Sequence, residues 1–276
     1  MAGTSHSAES LSGGQFYGEV LRRRCVSGLV LTELRHQRRR SFPRHGHELA
    51  YFCLLMDGGY CERIAGRPVA QVPMSLAFHP PGLEHHDEVG EGGGRFFSIE
   101  VEGRWLERLR QESRIAPDFA VLSAARPLGL AARLYRELRA FQGPGLLVEE
   151  LALDLLAAAV RQPIAAERRP PAWLSAVEER LREGFREPLG LDDLAAVAGV
   201  HPVHVTRTFR RFRGQTPGEY LQDLRVRHLC AALADPERPL SDLALEAGFA
   251  DQSHCTRVFK RHTGMTPGVF RAALGR

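Results

Sequence analysis

From Arg22 to Val101 the apolar residues come in short runs, at 28–34, 49–56 and 95–101. Asp57-Gly58-Gly59, Pro80-Pro81-Gly82 and Gly92-Gly93-Gly94 break them. Such punctuation predicts closely spaced strands, and therefore a β-sandwich or a small barrel. Beyond Trp105 the turn signals thin out. Residues 126–141 and 146–161 read as two helices parted by Gly143-Pro144-Gly145, a sequence that a helix does not easily cross. On the second, Leu147, Leu151, Leu155 and Ala158 recur at helical spacing. That stripe either packs onto its own domain or forms a dimer seam. Arg168-Arg169-Pro170-Pro171 reads as a linker, after which the pattern is wholly helical.

A chain of 276 residues is long for one domain of about 100–150 residues and comfortable for two. With 43% hydrophobic and 25% charged residues it has the composition of a globular protein. The most apolar stretch, Leu146 to Val160, is interrupted by Glu149, Glu150 and Asp154, which excludes it as a membrane span of about 20 apolar residues. The first fifteen residues have no apolar stretch and no early positive charge, so they read as a disordered tail and not as a secretory signal. The five cysteines form no Cys-x-x-Cys pair and imply neither a disulfide framework nor a cysteine zinc site. A reducing cytoplasm is the expected location. The net charge is +4, and the cations are all Arg except Lys260. Codon bias explains such a preference, as does recognition of phosphate and guanine by the planar guanidinium fork.

The last ninety or so residues carry one pattern twice. Leu191-Asp-Asp-Leu-Ala-Ala-Val-Ala-Gly199 is matched by Leu240-Ser-Asp-Leu-Ala-Leu-Glu-Ala-Gly248. Thr206-Arg207-Thr208-Phe209-Arg210-Arg211 is matched by Thr256-Arg257-Val258-Phe259-Lys260-Arg261. Each copy ends in Gly-x-Thr-Pro-Gly, at Gly214 to Gly218 and Gly264 to Gly268. The offset is 49 from Leu191 to Leu240 but 50 from Thr206 to Thr256, so the second turn carries one extra residue. Each copy reads as helix, tight turn, helix, with Gly199 and Gly248 suited to a positive φ. In the first copy Val205, Phe209 and Phe212 share the inner face, leaving Val203, Thr206, Arg207 and Arg210 outside. In the second, Cys255, Phe259 and His262 lie inside and Gln252, Ser253, Thr256 and Arg257 outside. The outer faces are small, polar and cationic, as a helix entering a major groove requires: Arg for guanine, Gln for adenine, Thr for a phosphate or a thymine methyl. Arg211, Arg213 and Arg261 flank them and are expected near phosphates.

Gln252-Ser253-His254 and the run from Thr256 to Pro267 resemble the C-terminal signature of the AraC/XylS family of bacterial transcription regulators, and the resemblance covers 173–271. It implies a seven-helix module with two helix-turn-helix units joined by a long helix, here from Pro217 to Leu233. Two recognition helices would then lie in successive major-groove segments about 34 Å apart. Carried over by position, Val203, Thr206 and Arg207 face bases in the first unit and Ser253, His254 and Arg257 in the second. The partners implied are double-stranded promoter DNA, RNA polymerase, a small-molecule effector and a second copy of the chain. Two departures stand out. Cys255 replaces a large apolar residue, and His201 precedes Pro202 where a Ser-type N-cap is usual.

His45-x-His47 and Pro80-x-Gly82-x-x-His85 resemble the two motifs of the cupin barrel, which regulators of this kind commonly carry as ligand sensors. Two histidines at i and i+2 on a strand share a face, and a third from a neighbouring strand joins them inside a barrel. The carboxylate that metal cupins place four or five residues after the second His is Tyr51 or Phe52 here. His45, His47 and His85 are the candidate ligands of a divalent metal with open positions. With Tyr51 they are equally the candidate contacts of an organic ligand. His79, Glu84, His86 and Asp87 lie nearby, but adjacent residues on a strand face opposite ways and most of them cannot join. Arg35, Arg38, Arg39 and Arg40 read as a solvated loop. The expected fold is α+β and multidomain: tail 1–15, cupin-like sensor barrel 16–115, helical linker or dimerisation segment 116–170, and double helix-turn-helix domain 171–276. The expected function is sequence-specific DNA binding under small-molecule control. The alternative is a metal-dependent cupin enzyme tethered to a DNA-binding domain.

Overall fold

The computed structural model describes residues 9–112, 118–122, 124–140, 145–160 and 170–275. The expected interruption at Gly143-Pro144 and the linker at Arg168-Arg169 lie outside the described residues. The chain divides into two compact units, one of residues 1–123 and 130–160, the other of 124–129 and 161–276.

The first unit is built on strands β1 (Glu9–Leu11), β2 (Glu19–Val26), β3 (Leu29–His36), β4 (Arg40–Ser41), β5 (His45–His47), β6 (Ala50–Ile64), β7 (Arg67–Gln71), β8 (Ser75–His79), β9 (His85–Val101) and β10 (Ala120–Val121). Helices α1 (Gly103–Glu112), α2 (Ala125–Ala140) and α3 (Leu146–Val160) accompany them. The long strands β6 and β9 form the spine, antiparallel from Ala50↔Val101 to Ile64↔His85. Two register shifts, at Leu55/Asp57 and Gly58/Tyr60, let so long a pair bend. The other edge of β9 takes β3, β4 and β5 in turn, and the other edge of β6 takes β8 and β7. Strands β5, β6, β8 and β9 thus set their central side chains into one interior. On the opposite face Tyr135 of α2 packs its ring 5.2 Å from that of Phe97.

Two expectations are corrected here. Residues 9–11 of the expected tail form β1, which pairs in parallel with β5, Glu9 opposite His45 and Leu11 opposite His47. The Gly14 N–H then donates to both carboxylate oxygens of the buried Glu100 at 2.9 Å. Within the segment 116–170, α3 and residues 130–140 group with the sheet and do not stand apart from it. Leu151 and Leu155 are buried there, and Leu147 is half-buried, so the leucine stripe of α3 serves its own unit.

The second unit contains α4 (Trp173–Glu183), α5 (Leu191–Ala198), α6 (Pro202–Arg213), α7 (Pro217–Ala232), α8 (Leu240–Glu246), α9 (Gln252–Thr263) and α10 (Pro267–Leu274). The repeated Gly-x-Thr-Pro-Gly has a physical reading in these helices. Gly214 and Gly264 end α6 and α9 in the left-handed conformation, with φ of 71° and 77°. Thr216 and Thr266 cap the next helix through their hydroxyls, and Pro217 and Pro267 start it at a position that needs no N–H. One motif therefore stops one helix and launches the next. Leu174, Val177, Leu181, Leu194, Val205 and Phe209 fill the core around α4 to α6. Phe259 and Phe270 meet edge to face at 5.3 Å in the second half.

Gly248 shows how strictly the second turn is specified. Its φ is 84°, and an added Cβ would lie 2.8 Å from the Arg186 backbone. Gly248→Ala is expected to destabilise this unit by roughly 2 kcal/mol or more, because strain and clash add. Urea unfolding followed by helical circular dichroism checks it.

Candidate nucleic-acid interface and ligand cavity

The two helix-turn-helix units place their second helices, α6 and α9, by the same means. His201 caps α6 by accepting the Val203 N–H on Nδ1 at 3.3 Å, so the imidazole replaces the hydroxyl usual there. Asp251 caps α9, accepting the His254 N–H at 2.7 Å. Inside lie Val205, Thr208 and Phe209 of α6 and Cys255, Val258 and Phe259 of α9. Phe212 and His262, expected inside, are half-buried.

The outward faces come out in register. Val203, Arg207, Arg210 and Arg211 are exposed on α6, as are Gln252, Ser253, Arg257, Lys260 and Arg261 on α9. Thr206 and Thr256 sit between them, half-buried, their hydroxyls donating to the carbonyls of Pro202 at 3.2 Å and Gln252 at 2.8 Å. Positions 203, 206, 207 and 210 form one helical face, and adding 50 gives 253, 256, 257 and 260. His254 is less open than the sequence suggested, because its half-buried ring meets that of Phe249 edge-on at 5.6 Å. Among the flanking cations, Arg211 lies over the Phe212 ring and Arg261 donates to Gln222 at 2.7 Å, a neutral partner that leaves its charge uncompensated. Arg213 departs from expectation. It is paired with the buried Glu178, which also accepts from Arg182 at 3.1 Å, so it is tied into the packing of α4 against α6.

Within the sheet, β5 supplies His45 and His47 on one face and β9 supplies His85 directly opposite His45. All three are buried, and one potential ligand atom from each lies within 4.8 Å of the other two. Tyr51 of β6 joins them, its hydroxyl donating to His85 Nε2 at 3.3 Å. The sequence reading did not single out Asp87. It stands two residues beyond His85, hence on the same face, and its Oδ2 is 3.6 Å from His45 Nε2 and 3.7 Å from His85 Nε2. Its other neighbours are turned elsewhere. His86 meets Ser41 at 3.1 Å, Glu84 pairs with Arg44, and His79 bonds the buried Glu62 at 2.8 Å behind the cluster. Arg35 and Arg39 form exposed pairs with Glu19 and Glu91.

Burial dominates the electrostatics of this interior. It pushes His47 down to about 2 and His85 to about 4, helped by the neighbouring imidazoles, and also lowers His45. It raises Asp87 to about 6. The histidines are therefore neutral rings with free lone pairs at neutral pH. The cavity beside them has a volume of about 50 Å³ and is walled on its far side by Phe16, Tyr17, Phe42 and Phe96. Phe16 and Tyr17 belong to the segment that β1 anchors. Their rings lie 4.7 Å from His47 and 4.9 Å from His45.

Comparison with known proteins assigns both units. Residues 28–156 match the AraC-like ligand binding domain, and residues 194–273 match a helix-turn-helix domain. The chain is 35% identical over 111 residues to the uncharacterised HTH-type transcriptional regulator YbfI of Bacillus subtilis, across 38% of this chain and 40% of YbfI. That match spans less than half of the relative's length. It is 33% identical over 74 residues to the regulatory protein SoxS of Salmonella typhimurium, across 27% of this chain and 69% of SoxS. A solved regulator from Chromobacterium violaceum with an AraC-type DNA-binding domain shares 25% identity at a TM-score of 0.35, across 38% of this chain and 93% of that one. The reading as a tethered metal-dependent enzyme gains no support from these matches. The two family models and the match to SoxS, on a chain whose ligand-binding sheet is followed by two helix-turn-helix units in register, show that it belongs to the AraC family of transcription regulators.

Proposed function

We propose that the protein binds specific sites in double-stranded promoter DNA by placing α6 and α9 in successive major-groove segments, and that a small ligand held in the N-terminal sheet controls this binding. The observation that carries the reading is the repetition of one exposed polar and cationic face, at Val203, Thr206, Arg207 and Arg210 and again at Ser253, Thr256, Arg257 and Lys260. Arg207 and Arg257 occupy equivalent positions at the middle of each face, suited to bidentate bonds with guanine O6 and N7. Gln252 and Ser253 enter the groove first on α9, with His254 beside them, while Arg211, Lys260 and Arg261 meet phosphates and make the affinity fall with salt. RNA polymerase and a second copy of the chain are the protein partners of this reading. A dimer seam on α3 would use its outer face, where Leu146 and Leu153 are 61% and 40% exposed. No described helix is long and apolar enough to cross a membrane.

A ligand in the sheet controls DNA binding only through unequal affinity for the chain's active and inactive arrangements. Selection of random duplexes on the full-length chain tests the DNA reading. The expected product is a site of two elements about one helical turn apart. A pool that binds in proportion to salt alone, with no sequence enriched, would overturn it.

A further inference from the structure

We infer that His45, His47, His85 and Asp87 together bind one divalent first-row transition ion, such as zinc. This deepens the ligand-binding reading of the N-terminal unit and rests on that reading only for its regulatory meaning. The hydrogen bonds around the cluster carry the argument. His45 Nδ1 lies 2.9 Å from the Pro43 carbonyl and His85 Nδ1 lies 3.0 Å from the Leu83 carbonyl. A carbonyl only accepts, so both rings hold their proton on Nδ1 and present a lone pair on Nε2. Those two Nε2 atoms face Asp87 Oδ2, itself a base. His47 is 3% exposed, and its Nδ1 is buried without a hydrogen-bond partner. Four Lewis bases therefore converge, with Tyr51 donating to His85 and Tyr60 to Asp87.

A cation resolves that excess of lone pairs, and backbone carbonyls such as those that hold the far nitrogens of His45 and His85 are usual outer partners of ligating histidines. Bonds of about 2.1 Å place neighbouring ligands about 3.4 Å apart in a tetrahedron and opposite ligands about 4.2 Å apart in an octahedron. The observed 3.6 and 3.7 Å to Asp87 need closure by about 0.3 Å, and the 4.8 Å at most among the histidines by about 1.4 Å, to reach a tetrahedron. Three imidazoles and one carboxylate suit zinc, nickel, cobalt or iron rather than calcium or magnesium. The cavity's size agrees. At about 50 Å³ it has room for an ion with its few remaining waters, at about 15 Å³ per water. His79 and Glu62 stay outside the set because each already holds the other, and Gln71 binds Glu62 as well.

Asp87 thereby supplies the carboxylate for which the sequence offers only Tyr51 or Phe52. The role is binding, beside the cavity that Phe16 and Tyr17 help to wall.

The test is a titration of the chelator-stripped full-length chain with Co²⁺ alone, followed by its visible absorption and then by displacement with Zn²⁺. One Co²⁺ per chain is expected, with the strong bands of a four- or five-coordinate ion. His47→Ala and Asp87→Asn should each weaken binding by about 100-fold or more, beyond the roughly 10–100-fold that loss of an outer partner costs. Absence of stoichiometric binding, or a His47→Ala variant with unchanged affinity, overturns the site. An Asp87→Asn variant with unchanged affinity and spectrum overturns the role of the carboxylate. Ring ¹⁵N shifts of the wild-type chain with Zn²⁺ decide the same question without a variant: three histidines metallated, or none. No DNA is present, so failure here leaves the helix-turn-helix reading standing, and failure to select a DNA site leaves this one standing.

Discussion

Replacing Arg207 or Arg257 by alanine will weaken binding to the selected duplex by about 1–3 kcal/mol each, or roughly 5–150-fold, and will relax base preference at one element of the site only. Both side chains are exposed at matching positions of α6 and α9, on helices whose starts are fixed by the His201 and Asp251 caps. A rigid helix presents a guanidinium in one orientation, so removing it costs discrimination as well as affinity. Arg211→Ala should behave differently, weakening all duplexes alike and reducing the salt slope by about one. Arg213→Ala should act on stability, because it strands the buried Glu178 carboxylate with Arg182 alone. Comparison of the four variants on cognate and scrambled duplexes separates reading of bases from attraction to phosphate.

Phe259→Ala will destabilise the helical unit by about 3–5 kcal/mol, a large part of the roughly 5–15 kcal/mol that holds a domain folded. Phe259 is fully buried and packs edge to face on Phe270, so truncation loses both the transfer term and the filled volume. Two-state fits to urea unfolding should show a lower midpoint for this unit, while the exposed Arg257→Ala leaves the midpoint within about 0.5 kcal/mol. The inverted order, Arg257→Ala unfolding the unit and Phe259→Ala leaving it intact, would mean that α9 presents the opposite face.

The helical half was legible in the sequence because its determinants are local. Gly199, Gly214, Gly248 and Gly264 mark turns, the threonine-proline steps mark starts, and the 3.6-residue period separates Phe209 from Arg207. The N-terminal half was legible only in part. The grouping of His45 with His47 followed from strand alternation and that of His85 from its likeness to the cupin motif, but the pairing of β1 with β5 joins residues 36 apart, from Glu9 to His45, and no local pattern announces it. Asp87 was hidden for a different reason. Alternation places it beside His85, yet the strand that carries it was not delimited by turn residues until Gly90, and four candidate ligands crowded the same stretch. Arg213 looked like a phosphate contact because a sequence does not reveal that Glu178, 35 residues away, is buried against it. His201 as a cap was seen as a departure, and only its Nδ1 geometry shows that it does the work of a hydroxyl.

Protection of guanine N7 from methylation on the selected duplex, by the wild-type chain and by Arg207→Ala and Arg257→Ala, distinguishes two reading helices from a merely basic surface. Two protected clusters about ten base pairs apart are expected in the major groove. One cluster should open in Arg207→Ala and the other in Arg257→Ala. A single cluster, or two that neither substitution disturbs, would contradict recognition by α6 and α9.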